Sequence, residues 1–302
     1  DIMLSNTPEL RKNFDKYDGL DKLLRGIAAY RKKDPEDAEE GEFVQNIFNC
    51  LCSLMPIKQH QEAFGKAQGL ELMIRMMREH KFAARHALRL ANHALNHSAD
   101  NCMLFVEKIG LKPLFYMYMQ RGVKPKHRNK PEHREDEEHC VSVIQSLCRY
   151  CTGTPIARVI NKFTENDFEK LERLLELHST CLKRTSDVAK IEATEELEEM
   201  GVDPENQYYL DRCEAGLFTL QRVDIILVRL ANMGNREMTN MVIRLMDLKG
   251  VDFKEVDQTI TEYRSALDES AQEESDELKK LLKRFKKSIE AAKETSEDEE
   301  DA

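Results

Sequence analysis

Apolar residues recur along this chain in short clusters at helical spacing. Leu20, Leu23, Leu24 and Ile27 form one cluster; Leu70, Met73, Ile74 and Met77 form a second; Leu111, Leu114, Phe115 and Tyr118 form a third. Each follows the i, i+3, i+4, i+7 pattern of a helix with one buried face. The same phrase introduces all three, a phenylalanine followed five residues later by Gly-Leu: Phe14 with Gly19-Leu20, Phe64 with Gly69-Leu70, and Phe105 with Gly110-Leu111. The copies are offset by 50 and then 41 residues. A short helical unit recurring at roughly 40 to 47 residues predicts armadillo or HEAT-type repeats. The glycine is expected to stop one helix and turn the chain with positive φ before the next.

The stretches between these clusters complete the repeats. Pro8 fits a helix start after Ser5-Asn6-Thr7, so residues 1–33 read as the end of one repeat. The chain opens inside that repeat, which implies the C-terminal part of a longer protein. Asp34 to Glu42 is an acidic, solvated loop without core-forming residues. Val44, Ile47, Phe48, Leu51, Leu54 and Met55 predict a helix that Pro56 stops. Gln59–Lys66 and Leu70–His80 complete that repeat. Ala83–Asn96, Asn101–Lys108 and Leu111–Gln120 make the next.

From Arg121 to Arg134 the register breaks. Arg121, Lys124, Lys126, Arg128, Lys130 and Arg134 make this a basic loop in which Pro125 and Pro131 oppose helix. Val141, Ile144, Leu147 and Cys148 resume the pattern over Glu135–Cys151. Arg158–Phe163 is a short helix, and Asn166-Asp167 stands where the glycine was, as an N-cap for the helix carrying Phe168, Leu171, Leu174, Leu175 and His178. An acidic run spans Ile191–Asn206. Closing helices are predicted at Gln207–Asn232, Arg236–Leu248 and Phe253–Leu267, the last with Asp252 and Glu255 at capping-box spacing. The expected organisation is an array over residues 1–267 with a cap from about 205, a tail helix over 268–293 and a disordered acidic end over 294–302. The tail helix puts Leu278, Leu281, Leu282, Phe285 and Ile289 on one face. Lys279, Lys280, Lys283, Arg284, Lys286 and Lys287 lie on the other. Docking on its own domain or on a partner is expected, rather than on a membrane.

Composition sharpens this picture. No alternating strand pattern or Asn-Gly hairpin signal is present, so the chain reads as all-α: an armadillo/HEAT-like α-solenoid, a right-handed superhelix of short helical repeats with a C-terminal helical cap. The net charge of −10 disfavours a general nucleic-acid binder and favours basic partners. The most apolar window, Gly216–Gly234, contains Arg222, Asp224 and Arg229 and makes a poor membrane span. Cysteines fall mostly in apolar helical stretches, where they act as small hydrophobes of a reduced compartment. His93 and His97 have metal-ligand spacing on a helix, but Ala94 stands where a zinc protease needs glutamate. Cys148-x-x-Cys151 lacks a second pair. With no phosphate-cradling loop or nucleophile elbow, the reading is a non-enzyme without cofactor or metal.

What remains is a surface. Asp21, Glu71, Lys112 and Glu169 follow the first buried residue of each post-phrase helix. Arg25, Arg75, Tyr116 and Arg173 lie four positions further on. On the expectation that these helices line the concave side, Asp21, Glu71, Arg75, Lys112, Tyr116, Glu169 and Arg173 are the candidate partner-binding residues. The acidic ones suit lysines of an extended peptide. Solvated charges in intrahelical pairs are the alternative. The basic loop is a candidate RNA contact, although no aromatic residue is interleaved for base stacking.

Several segments carry a family resemblance. They are Asn161-Lys162-Phe163-Thr164-Glu165-Asn166-Asp167, and Tyr209-Leu210 through Ala215-Gly216-Leu217-Phe218 to Leu220-Gln221. Gly69-Leu70-Glu71-Leu72-Met73, Asp100-Asn101-Cys102 and Lys108 through Gly110-Leu111 add to them. The chain resembles the β-catenin-like protein 1 family from its first residues to about Tyr263. The resemblance implies a nuclear armadillo-repeat protein of the spliceosome. Such a protein associates with the NineTeen complex and binds basic nuclear-localisation-type segments of splicing factors, including the complex's Myb-domain component. It implies no catalytic residues. A nuclear import adaptor for basic cargo is the alternative, although the tryptophan array of importin-α-type adaptors is missing.

Overall fold

The computed structural model describes residues 18–128, 130–189, 203–233 and 236–300. The Pro8 helix, the Phe14 copy of the phrase and most of the Ile191–Asn206 run lie outside the described residues. Every regular element among the described residues is helical, as the absence of strand patterning predicts. The chain divides into two compact units, residues 1–159 and 160–302.

The first unit contains α1 (Gly19–Ala28), α2 (Ala38–Leu54), α3 (Lys58–Lys66), α4 (Gly69–Glu79), α5 (Ala83–Leu95), α6 (Ala99–Glu107), α7 (Leu111–Tyr118) and α8 (Pro131–Tyr150). The triplets α2–α3–α4 and α5–α6–α7 are successive repeats, and α8 opens the next. α5 packs on α2, α4 and α8, while α7 packs on α8, so each repeat covers the apolar face of its neighbour.

The joint between repeat helices has a definite physical origin. Phe64 and Phe105 are fully buried. A Cβ added at Gly69 would lie 2.5 Å from the Phe64 ring, and one at Gly110 would lie 2.5 Å from the Phe105 ring. The glycine is therefore required by close approach of an aromatic ring. Its expected positive φ is found one residue earlier, at Asp18 (φ 51°), Gln68 (φ 60°) and Ile109 (φ 65°). Left-handed backbone at a residue with a Cβ costs roughly 1–2 kcal/mol. Burial of the phenylalanine and closure of the helix end offset it: the Gly110 N–H donates to Phe105 O at 2.9 Å. Buried amides add a second tie between repeats. Asn101 Nδ2 donates to Gln61 O (3.1 Å) and Ala94 O (2.9 Å), and Gln61 Nε2 donates to Asn96 O at 2.7 Å. Two of these acceptors, Ala94 O and Asn96 O, lie at the end of α5, where carbonyls have no partner within their own helix.

Two loops differ from expectation. The acidic stretch is built into the fold. Asp37 caps α2 by accepting from Glu40 N at 2.8 Å, and Asp34 accepts from Phe82 N at 2.8 Å and Lys81 Nζ at 3.2 Å. Pro131 starts α8 instead of opposing it, because the first helical position needs no intrahelical N–H donor. Arg134 thus belongs to α8, and the basic loop ends at Lys130.

The second unit contains the larger part of α9 (Gly153–Ser186), then α10 (Pro204–Ala215), α11 (Leu217–Asn232), α12 (Arg236–Lys249), α13 (Phe253–Ser265) and α14 (Gln272–Glu300). α9 is kinked where Asn166, Asp167 and Phe168 all have positive φ. Asn166 gives its amide to the Glu169 carboxylate at 2.7 Å rather than to a cap. The single helix expected over Gln207–Asn232 is broken by Gly216 at φ 117°, whose N–H closes α10 on Arg212 O at 3.1 Å. The Asp252–Glu255 capping box is formed.

α11 is buried almost all round and forms the centre of this unit, with α10, α12, α13 and α14 against it. A helix buried on every side accounts for the apolar window around it. Among the described residues, no helix is long and apolar enough to cross a membrane. The tail helix α14 packs on α11 and α13 through Leu278, Leu282 and Phe285, each worth about 1.5–3 kcal/mol on burial. A bidentate pair between Arg229 and Glu277 (2.7 and 3.0 Å) fixes its position along α11. α14 continues to Glu300, past the boundary expected at 293, because residues 294–300 contain no glycine or proline to stop it.

α11 also brings Asp224 against His178 of α9. Nδ1 and Oδ1 are 2.6 Å apart in a buried setting, and Glu255 Oε2 lies 3.8 Å from Nε2. Burial pulls the His178 pKa down, but Asp224 and then Glu255 outweigh it, so the net shift is upward. Burial likewise raises Asp224.

Two outcomes follow from these contacts. Gly110→Ala, normally a stabilising change within a helix, is expected to cost about 1–3 kcal/mol by overpacking Phe105. The check is the urea midpoint, with Phe105→Leu added to recover part of the loss. A midpoint equal to the wild type's would remove the ring contact as the reason for glycine. The second concerns pH. His178 is raised in the fold, so its contribution is complete below its unfolded value of about 6.5 and is lost as pH rises through the folded one. Asp224, also raised, acts with the same sign, but from its unfolded value of about 3.9 upward, so His178 governs the neutral range. Thermal unfolding should therefore show stability declining above neutral pH, with a shallower decline in His178→Gln.

Candidate functional site

The first helices of the repeats are joined by a polar ladder. Arg85 Nε on α5 donates to both carboxylate oxygens of Asp136 on α8 at 2.8 Å, and its Nη2 donates to Glu132 O. Arg89 donates to Asn49 of α2, and Asn92 Nδ2 lies 3.3 Å from His139 Nδ1. Burial pushes His139 down to about 4, and His86, stacked 5.4 Å from Phe48, also to about 4. These histidines are neutral at physiological pH and serve packing and hydrogen bonding.

The candidate residues on the post-phrase helices have local partners. Asp21 pairs with Arg25 at 2.7 Å, both exposed on α1. Glu71 on α4 is half-buried and pairs with Lys108 at 3.1 Å. Glu169 accepts from Asn166 and from Lys170 (3.1 Å), and Arg173 lies 3.5 Å from Glu176. Each acidic candidate thus has a cation beside it. Arg75 and Lys112 are exposed on α4 and α7. Tyr116 on α7 meets His80, the residue that ends α4, with ring centroids 4.2 Å apart. The structure brings together Glu71 with Lys108 and Tyr116 with His80.

Two concavities of the first unit were not visible as sites in the sequence. One, about 580 Å³, opens at the start of α2 and is lined by Asp34, Pro35, Asp37, Glu42, Gln45 and Phe82. Hydrogen bonding from the Phe82 amide holds Asp34 below the usual carboxylate range. Glu42 is exposed, as is much of the Phe82 ring. Asp34 and Phe82 are 48 residues apart, so their meeting depends on the packing of α5 against α2. The other cavity lies at the foot of the basic loop and includes Tyr116.

The metal candidates separate. α5 ends at Leu95, so His97 lies beyond the helix that carries His93 and bonds Tyr150 Oη at 2.9 Å through Nδ1. Among the described residues, no group of three or more His, Cys, Asp or Glu is placed to hold a metal ion. Cys148 and Cys151 are buried in the core. Burial pushes Cys52 up to about 11 and Cys151 to about 12, so neither is a thiolate at neutral pH.

These features define an all-α helical-repeat protein, a class that typically works as a non-catalytic scaffold for binding other proteins. The chain belongs to the catenin-beta-like family of Arm-motif-containing nuclear proteins, whose family model matches residues 1–261. Beta-catenin-like protein 1 of Rattus norvegicus is 35% identical over 270 residues, covering 87% of this chain and 48% of the relative. The Schizosaccharomyces pombe homolog is 29% identical, covering 89% of this chain and 46% of its own length. The chain thus spans about half the length of the curated relatives it matches. Among solved structures, a designed armadillo repeat protein aligns at 13% identity and a TM-score of 0.43, covering 89% of this chain and 99% of its own.

Proposed function

We propose that this chain is a non-enzymatic interaction scaffold of the nucleus that binds basic, nuclear-localisation-type segments of splicing factors. On this reading it acts in pre-mRNA splicing alongside the NineTeen complex and its Myb-domain component. Membership of an Arm-motif nuclear family across residues 1–261 is the observation that carries the reading. The net charge of −10 supports a basic partner. So does the acidic concavity at the start of α2. A lysine or arginine entering it would meet the Glu42 carboxylate and the half-exposed Phe82 ring, a face that attracts cations, with Asp37 and the Lys81-paired Asp34 beside them. Of these carboxylates, Asp34 and Asp37 also hold the fold, whereas Glu42 is exposed.

The test has two parts. The chain is used as bait in nuclear extract, with and without ribonuclease; recovery of NineTeen-complex proteins in both conditions is expected. Recovery of import carriers alone would replace this reading with the adaptor. In the second part, a fluorescent lysine- and arginine-rich peptide is titrated against Glu42→Lys and Asp21→Lys. Glu42→Lys should weaken binding roughly 2- to 10-fold at low salt, the difference shrinking as salt is raised. An unchanged affinity for Glu42→Lys with loss in Asp21→Lys would move the peptide to α1.

A further inference from the structure

The basic loop between α7 and α8 has no aromatic residue in its own sequence on which a base could stack. The fold supplies what the loop lacks. A cavity of about 270 Å³ at its foot is lined by residues including His80, Arg85, Tyr116, Arg121, His133 and Asp136. Tyr116 comes from α7 and His80 from the end of α4, 36 positions earlier in the numbering. Their rings meet at 4.2 Å with an interplanar angle of 35°, and the imidazole is exposed. The loop is shaped to this tyrosine. Gly122 has φ +86°, and a Cβ there would come 2.9 Å from the Tyr116 hydroxyl oxygen. Further along the same loop, Lys124, Lys126 and Arg128 are exposed and make no ion pair among the described residues.

We infer that this cavity seats one base of a single-stranded nucleic acid, extending the His80–Tyr116 stack, while Lys124, Lys126 and Arg128 neutralise the flanking phosphates. The volume lies just under the roughly 300–1,000 Å³ of pockets that take drug-sized ligands, which suits one planar base. Aromatic stacking with a basic track is how single strands are held without dependence on sequence. The cavity also offers polar edges. Both Asp136 oxygens accept from Arg85 and have further lone pairs for an exocyclic amine, and His133 Nδ1 lies 3.6 Å from Asp136 Oδ2. An acidic peptide fits less well, because it could pair with the basic loop but has no planar base to lay on the His80 and Tyr116 rings. A duplex fits less well too, because its bases are stacked on one another and closed to the tyrosine. This site is separate from the peptide-binding surface proposed above, and either can fail without the other.

Fluorescence anisotropy on the 302-residue chain tests the inference. The probes are a 12-nucleotide single-stranded RNA, its DNA counterpart, the blunt RNA duplex, and an RNA of the same length made of abasic residues. Binding of either single strand in preference to duplex and abasic probes is expected. Tyr116→Ala should weaken binding roughly 5- to 100-fold with little change in salt dependence, and Tyr116→Phe should retain it. Combined Lys124→Ala, Lys126→Ala and Arg128→Ala should weaken binding and flatten the log–log salt slope by about 2. Circular dichroism monitors the fold; should Tyr116→Ala unfold, His80→Ala, at an exposed position, takes its place with the same expected direction. Equal binding of the abasic probe, wild-type affinity in both ring variants, or binding of a polyglutamate peptide but no nucleic acid would each overturn the inference.

Discussion

The architecture of the first unit depends on one contact, a phenylalanine ring laid against the Cα of a glycine five residues later. The contact fixes where one repeat helix stops and the next begins, at Phe64–Gly69 and again at Phe105–Gly110. Once the ring occupies the space of a side chain, the following helix begins at that glycine, as at Gly69, or one residue later, as after Gly110. The leucine after it, Leu70 or Leu111, is then directed into the core. Turning the chain in so short a space forces left-handed backbone on the residue before the glycine. That residue is Gln68 in one joint and the β-branched Ile109 in the other. A poor local conformation is thus maintained by a good tertiary contact, and the two cannot be altered separately.

The second unit solves a different problem. Its central helix is enclosed by four others, so the two charges buried on it, Asp224 and Arg229, need partners within the fold. Asp224 is met by His178, and Arg229 by Glu277 of the tail helix. Burying an ion pair adds little net stability, but breaking one by removing a partner is costly. The pairs therefore act mainly as position markers. α14 could slide along an apolar groove with little penalty if Leu278, Leu282 and Phe285 were its only contacts. The bidentate bond to Arg229 makes one register much better than the rest. With its apolar face used in this way, α14 presents Lys279, Lys280, Lys283 and Lys286 outward. An amphipathic sequence here describes internal docking.

How much of this was legible in the sequence varies with the range of the interaction concerned. The repeat, the helical class and most helix spans could be read because they follow from apolar periodicity within a dozen residues. Glycine's importance was legible, but its reason was not: the sequence suggests backbone freedom, and the structure shows lack of room for a Cβ. Pro131 is ambiguous in the sequence because the same residue that breaks a helix interior is well suited to its first turn. The Gln207–Asn232 span was read as one helix because apolar periodicity continues across Gly216, whose left-handed conformation alone marks the break. Arrangements made by packing were least visible. Nothing near Asp34 announces Phe82, and nothing in the basic loop announces Tyr116 and His80.

The same distinction governs the candidate surface. Counting one position past each buried starter residue selects the exposed edge of a helix, and that edge is where intrahelical and neighbouring-helix pairs also form. Asp21 finds Arg25 one turn away; Glu71 finds Lys108 across the joint. A carboxylate already beside an ammonium attracts an incoming lysine less, because the two fields largely cancel beyond a few ångströms in water. Recognition of a charged partner favours places where packing leaves one sign uncompensated. In the first unit, Glu42, at the mouth of the concavity where α2 begins, is one such place, and Lys124, Lys126 and Arg128, on the loop before α8, make another. They carry opposite charge on separate parts of one helical framework. A single net charge of −10 therefore conceals two surfaces suited to partners of opposite sign.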